Sequence, residues 1–252
     1  MGEMKLAIRG LGRMGREVAE LARESSEIEF LVGIDPRGGG DLPCVAKLAE
    51  LAKIKEKPDC ILDLSLHSAI GEVLNYAKQE KIPLVIGTTG FTEGEREAIS
   101  LASREIPIFL SGNFSLGLSL LTAFAVKVAE MLPEGDIEIV ESHHREKRDA
   151  PSGTALMLLD AIQKVRPHSR GQYGRWGDRG RQEGEIGIHS LRMGDTVGEH
   201  TLYITTPTQQ LILRHTATNR ALFAEGAIRA VRFLYGKPQG LYGMTDLTGG
   251  NI

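Results

Sequence analysis

Two consecutive stretches decide the fold: LAIRGLGRMGREVAELAR at residues 6–23 and IEFLVGID at residues 28–35. Residues 6–9 read as a short apolar strand, 14–23 carry the apolar spacing of a helix, and 28–35 read as a second strand, so the order is βαβ. Between the first strand and the helix lies Gly10-Leu11-Gly12-Arg13-Met14-Gly15. Glycines at that spacing let backbone approach a pyrophosphate closely, and the helix N-terminus adds free N–H groups and a positive dipole end. Asp35 closes the second strand twenty residues after Gly15, where an acidic side chain accepts from the adenosine ribose hydroxyls. The pattern therefore predicts a dinucleotide site. Asp35 favours NADH, because a 2′-phosphate would meet its charge, while Arg37 two residues on offsets that charge. The pair points to a pocket that takes NADH, NADPH or both.

Outward from this unit the rhythm continues. Beyond a Gly-rich loop at 38–40 come CILDLS (60–65), a helix near 69–79, PLVIGTT (83–89), a helix near 93–103 and IPIFLS (106–111). Alternating strands and helices predict an α/β fold with a Rossmann-type, doubly wound parallel sheet. Two further strand ends, Gly87-Thr88-Thr89-Gly90 and Ser111-Gly112-Asn113-Phe114, carry small polar residues and are expected to face the cofactor. The pattern changes after Asn113. A long apolar helix (116–131) leads to the strand DIEIVES (136–142), a helix opening at Ser152, and three β-rich runs separated by Gly194-Asp195 and Pro207-Thr208. Such closely spaced strands predict a smaller α+β domain with a mixed or antiparallel sheet. The last helix, 220–234, is expected to return to the first domain. This gives a dinucleotide-binding domain of residues 1–114 with 219–252, and a substrate-binding domain of residues 115–218. Residues 167–181, basic, Gly-rich and poor in aliphatics, read as a mobile loop.

The densest chemistry lies in ESHHREKRDAPSGT, residues 141–154. From His143 to Arg148 every residue except Glu146 is basic or becomes so on protonation. Pro151 stops this run, and Ser152 is a good N-cap for a helix whose first turn holds Gly153 and Thr154. A cationic loop beside a helix N-terminus attracts anions, and a small dicarboxylate is the natural guest. Histidine has the side-chain pKa nearest neutrality, so His143 or His144 can give a proton while a nicotinamide gives a hydride. On a regular strand the two rings point to opposite faces and have different tasks.

Composition narrows the alternatives. The chain has 252 residues, 41% of them hydrophobic, and a net charge of -3, which supplies no global field for nucleic acid or anionic lipid. The two cysteines, Cys44 and Cys60, form neither a disulfide framework nor a metal-spaced pair, and no metal site is expected. Neither sits where an activated nucleophile would, which disfavours an acyl-transferring dehydrogenase such as one acting on aspartate semialdehyde. The remaining histidines, His67, His168, His189, His200 and His215, read as structural or surface residues. No run approaches the roughly 18 apolar residues of a membrane span and no signal-peptide core is visible, so a cytoplasmic location is expected. A non-catalytic NAD(P)-binding sensor is the remaining alternative, but it has no need of His143, Lys147 and the Ser152 turn together.

The segment ESHHREKRDAPSGTA resembles the signature of the dihydrodipicolinate reductases, also called 4-hydroxy-tetrahydrodipicolinate reductases, of the diaminopimelate route to lysine. The resemblance extends through GRMGRE, VIGTTGF, NFSLG, GEIGIHSLRMGDTVGEH and GLYGM, over nearly the whole chain. It implies that His143 donates or accepts a proton, that Lys147 is a second proton donor, that His144 contacts substrate, and that Gly153 and Thr154 form the carboxylate-binding turn. It also implies that Gly10, Leu11, Gly12, Arg13, Met14 and Asp35, with Gly87, Thr88, Thr89 and Ser111 to Phe114, line the cofactor. The first Gly-rich turn is one residue shorter than in many relatives. Reduction of a cyclic imine bearing two carboxylates by NADH or NADPH, and a homotetramer built through the sheet of the second domain, are further implications.

Overall fold

Met4–Arg9 (β1) is buried along almost its whole length, as a strand covered by helices on both faces must be. Arg13–Arg23 (α1) follows it, and Val18, Ala19 and Ala22 form the stripe that packs back on the sheet. The computed structural model describes residues 3–249. Further along come Ile28–Ile34 (β2), Cys44–Val45 (β3), Cys60–Asp63 (β4), Ile70–Glu80 (α2), Leu84–Ile86 (β5), Glu93–Ala102 (α3) and Pro107–Leu110 (β6). The chain then forms Leu116–Met131 (α4), Asp136–His143 (β7), Gly153–Val165 (α5), Arg170–Tyr173 (β8), Glu185–Arg192 (β9), Gly198–Thr205 (β10) and Gln210–Ala217 (β11). It ends on Ala221–Leu234 (α6), Gly240–Tyr242 (β12) and Met244–Leu247 (α7).

Two units result, one ending at Ser115 and resuming over Ala221–Thr248, the other covering Leu116–Arg220. In the first, seven parallel strands take the order β12-β6-β5-β4-β1-β2-β3. The chain moves outward from β1 to β3, then crosses to β4 and proceeds the other way. The switch between β1 and β4 is where a doubly wound sheet opens a crevice at its strand ends. Leu6 and Ile8 face a core shared with α1 and α6, while Ala7 and Ile61 face one shared with α2 and α3. Two small strands were not expected: β3, only two residues long, and β12, whose GLY triplet carries no apolar run.

The second unit has five strands in the order β11-β10-β7-β9-β8. β10 runs antiparallel to both β11 and β7, whereas β7, β9 and β8 are mutually parallel, so the sheet is mixed. Ile137 and Ile139 of β7, Ile186 and Ile188 of β9 and Leu202 and Ile204 of β10 share one face and pack against α4 and α5. The expectation of a mobile loop at 167–181 is corrected here. Residues 170–173 form β8, and Arg175, Arg179 and Arg181 are ion-paired with Asp136, Glu138 and Glu185. Those carboxylates belong to β7 and β9, and local composition carries no sign of such distant partners.

Candidate active site

In the first unit, the turn between β1 and α1 is a backbone cradle. A Cβ on Gly15 would lie 2.1 Å from the carbonyl oxygen of Gly10, so only glycine lets the helix begin this close to the strand end. Gly12 is the N-cap, with no side-chain cap on the first-turn N–H groups and no acidic residue in that turn. Free donors, a positive helix end and an absent side chain suit a pyrophosphate. Arg13 is exposed and Met14 half-buried at the helix start, whereas the Leu11 side chain is buried. The residues present therefore fit a dinucleotide.

Asp35 stands one residue past the end of β2, buried, and its carboxylate is fully engaged. It accepts from the Leu11 N–H at 2.9 Å, from the Arg37 N–H at 2.9 Å, and from Arg37 Nε and Nη2 at 3.1 Å each. The Arg37 side chain, followed by the backbone donors, outweighs burial and holds the Asp35 carboxyl down at about 2. Arg37 itself is exposed. At the other strand ends, Thr88 turns its hydroxyl inward to Asp63, 3.3 Å away, and Thr89 is exposed. Gly87 fits closely against Leu64 and Phe114, and a Cβ on Gly112 would lie 3.1 Å from the Thr89 methyl. Ser111 and Asn113 shape their own turn, through Ser111 Oγ to the Asn113 carbonyl at 2.6 Å and Ser115 N–H to Asn113 Oδ1 at 2.8 Å. Phe114 is buried and stacks on Phe109, so its side chain belongs to the core.

Beneath these turns lies a polar group that local reading missed. Arg9, at the end of β1, reaches Asp63 Oδ1 at 3.3 Å, Ser65 Oγ at 3.0 Å, the Ala69 carbonyl at 3.2 Å and Glu72 Oε2 at 2.7 Å. One guanidinium thus ties the loop after β4 to the end of β1. The only signal in the sequence was a charged residue ending each of two otherwise apolar strands.

The second unit holds the side-chain chemistry. His143 is the last residue of β7, on the same face as Glu141, and His144 lies beyond the strand end. His143 Nδ1 is 2.6 Å from Glu141 Oε2. Glu141 is wholly buried, and its other oxygen accepts the Ser152 N–H at 3.1 Å. Arg192, opposite His143 on β9, donates to both oxygens of Glu141 at 2.9 and 2.7 Å. Ser152 caps α5 by accepting the Ala155 N–H at 3.2 Å, and its hydroxyl also lies 3.1 Å from His200 Nε2. The His200 ring meets that of His143 edge-on, with centroids 5.2 Å apart. Lys147 is ion-paired with Asp149 at 2.8 Å. Gly153 is exposed and Thr154 half-buried at the start of α5, whose first turn has no acidic residue.

His143 and the Ser152 turn therefore converge on Glu141, beside Arg192 and His200, and Lys147 lies near enough for its charge to act on the His143 ring. Glu141 opens the motif but gave no sign of its role, and His200 read as merely structural. Their proximity arises from the register of β7 with β9 and β10, which pairs Glu141 with Ser190 and with His200. Burial works to raise the Glu141 carboxyl, but Arg192 and His143 overcome it and bring it to about 2. Burial lowers the His143 pKa, against the opposing pull of Glu141, and takes His200 down to about 4. Near neutrality both rings are neutral while Glu141 is charged. Cys60, by contrast, is buried with its thiol pushed up to about 12, no nucleophile at neutral pH.

Residues 4–114 match the family model described as dihydrodipicolinate reductase, N-terminus, and residues 117–248 match dihydrodipicolinate reductase, C-terminus. The chain belongs to the dihydrodipicolinate reductase family. It is 44% identical to the 4-hydroxy-tetrahydrodipicolinate reductase of Caldanaerobacter subterraneus subsp. tengcongensis, over 97% of this chain and 98% of that one. It is 38% identical to the enzyme of the same name from Methanoregula boonei, over 94% of each. Among solved structures it resembles the dipicolinate-bound dihydrodipicolinate reductase from Paenisporosarcina sp. TG-14, with 28% identity and a TM-score of 0.83 over 97% of this chain and 98% of that one. The two family models together cover nearly the whole chain.

Proposed function

We infer that this chain catalyses the NAD(P)H-dependent reduction of 4-hydroxy-tetrahydrodipicolinate to tetrahydrodipicolinate with loss of water, in the diaminopimelate route to lysine. The observation that carries the reading is Glu141, which holds a neutral imidazole with one oxygen and the open N-terminus of α5 with the other. Proton transfer and carboxylate binding are the two demands that a dianionic cyclic imine makes of its enzyme. The residues 3–115 and 221–248 form the dinucleotide-binding domain, with Gly10 to Gly15 at the pyrophosphate and Asp35 at the adenosine ribose. When bound, NADH or NADPH supplies the hydride.

The chain's own residues supply the rest. The backbone N–H groups of Gly153 and Thr154 receive one substrate carboxylate, aided by the dipole of α5. His144 contacts the substrate, and Lys147 brings a positive charge and a second proton. Substrate binding exchanges Lys147's contact with the exposed Asp149 for one with the dianion. A dianion beside His143 raises its affinity for a proton, opposing the effect of burial, so that the ring takes up a proton from solvent and delivers it as the hydride arrives. One hydride and one proton reduce the ring, and its hydroxyl leaves as water. A protein that only sensed nucleotide would have no use for this cluster.

Two finer assignments follow the same line. The face of the mixed sheet opposite α4 and α5 carries exposed Leu191 and Ile212, which supports assembly into a homotetramer through that sheet. No helix of the described residues is long and apolar enough to cross a membrane, and a cytoplasmic location accords with this small, charged substrate. The decisive assay follows NADH and NADPH oxidation with freshly generated 4-hydroxy-tetrahydrodipicolinate, and titrates pyridine-2,6-dicarboxylate as a competing dianion. Turnover with competitive inhibition is expected. Cofactor binding without turnover would leave the sensor as the better reading.

A further inference from the structure

We propose that Glu141 is a positioning residue that sets the tautomer of His143, placing the resting proton on Nδ1 and making Nε2 the nitrogen that exchanges protons with substrate. The consequence for catalysis rests on the reading of His143 as proton carrier, but the tautomer itself does not. A carboxylate only accepts, so the 2.6 Å contact between Glu141 Oε2 and His143 Nδ1 requires the hydrogen on Nδ1. The neutral ring then carries a lone pair at Nε2. Room for that edge comes from β10, where a Cβ on Gly198 would lie 3.1 Å from Nε2. The ring of His200 packs edge-on against that of His143.

The charges around the imidazole fit this role. Glu141 on its own strand favours the protonated ring, while Arg192 on β9 and Lys147 in the following loop oppose it. His200 on β10 and, beyond it, His215 on β11 complete the surroundings. Because Arg192 grips both oxygens of Glu141, the carboxylate cannot turn away from the ring or take up its proton. A buried ion pair adds little net stability compared with apolar residues of the same shape. Its geometry is better explained by the two objects it aligns, the His143 ring and the Ser152 N–H at the start of α5.

Glu141→Gln separates this role from simple packing. An amide of the same size offers one acceptor and one donor, so its NH2 must face either Nδ1 or the Ser152 N–H. Facing Nδ1, it moves the ring proton to Nε2; facing Ser152, it breaks the hold on α5. The full-length chain labelled with 15N-histidine reports the tautomer directly, and His143→Gln identifies the signal among the seven histidines. The expected result is an Nδ1–H tautomer in the wild type, a shifted tautomer or titration midpoint in Glu141→Gln, and kcat lowered about 100-fold with KM for the cofactor unchanged. An Nε2–H tautomer in the wild type overturns the proposal, and that reading needs no variant to fold. An unaltered tautomer together with an unaltered titration midpoint of His143 in folded Glu141→Gln overturns it equally. Full turnover in His143→Gln would instead defeat the functional reading beneath it, whatever the tautomer.

Discussion

On the proposed reading, the two units bind an anion by different means. Around α1 the work is done by backbone: a glycine turn, an uncapped helix start and strand ends bearing small residues. Around α5 it is done by side chains that the sheet gathers from β7, β9 and β10, with the helix start as only one participant. The difference follows from the tasks. A pyrophosphate needs to be held, and fixed N–H groups hold it without titrating. An imine needs protons moved, and only side chains with adjustable pKa values do that.

Substitutions sharpen the contrast. In the side-chain unit, His143→Gln is expected to lower kcat about 1000-fold and Lys147→Ala about 100-fold, both with cofactor affinity near that of the wild type. Steady-state kinetics and cofactor titration check this, and weakened cofactor binding in both variants would show that the two tasks are not separated as described. The same unit should carry an acid-sensitive stability. His200 is buried and neutral, with a folded-state pKa of about 4 against an unfolded value near 6.5. The unfolded chain therefore binds the extra proton between those values, so stability falls as pH drops from about 6.5 towards 4, by about 3 kcal/mol. Glu141, at about 2, extends the loss below the ordinary carboxylate range by the same sign, since its unfolded form takes up a proton first. Urea unfolding at a series of pH values tests this: His200→Asn should flatten the limb between about pH 6.5 and 4, and an unchanged limb would assign it elsewhere. In the backbone unit the effects are smaller. Asp35→Ala is expected to weaken NADH about ten-fold and NADPH less, read by fluorescence titration, the loss being that of hydrogen bonds to one charged group. Equal losses would remove Asp35 from the ribose site.

What was legible in the sequence follows the same division. The turn from Gly10 to Gly15 and the acid at Asp35 announce themselves because the parts of a βαβ cradle are close in sequence and fixed in spacing. The parallel sheet was legible for the same reason, and the Ser152 cap was read correctly from its own few residues. Arg192 and His200 were not, because they reach Glu141 through strand register, which residue type does not encode. Arg9 and Asp63 escaped for a related cause, since a charge closing an apolar strand looks alike whether it meets solvent or a buried partner. Residues 167–181 gave the opposite error: glycine and arginine suggest mobility only until the arginines find carboxylates on neighbouring strands.

The bond between Arg37 and Asp35 has a consequence for how the cofactor enters. Arg37 is an internal competitor, tethered two residues from the carboxylate it occupies and therefore present at high effective concentration. On the proposed reading of Asp35 as the ribose ligand, a dinucleotide has to displace Arg37 first, and that exchange counts against its affinity. A dinucleotide bearing a 2′-phosphate offers the displaced guanidinium a new and stronger partner. On that reading the group that hinders one cofactor is the group that welcomes the other, which narrows the difference between them without any change of residue.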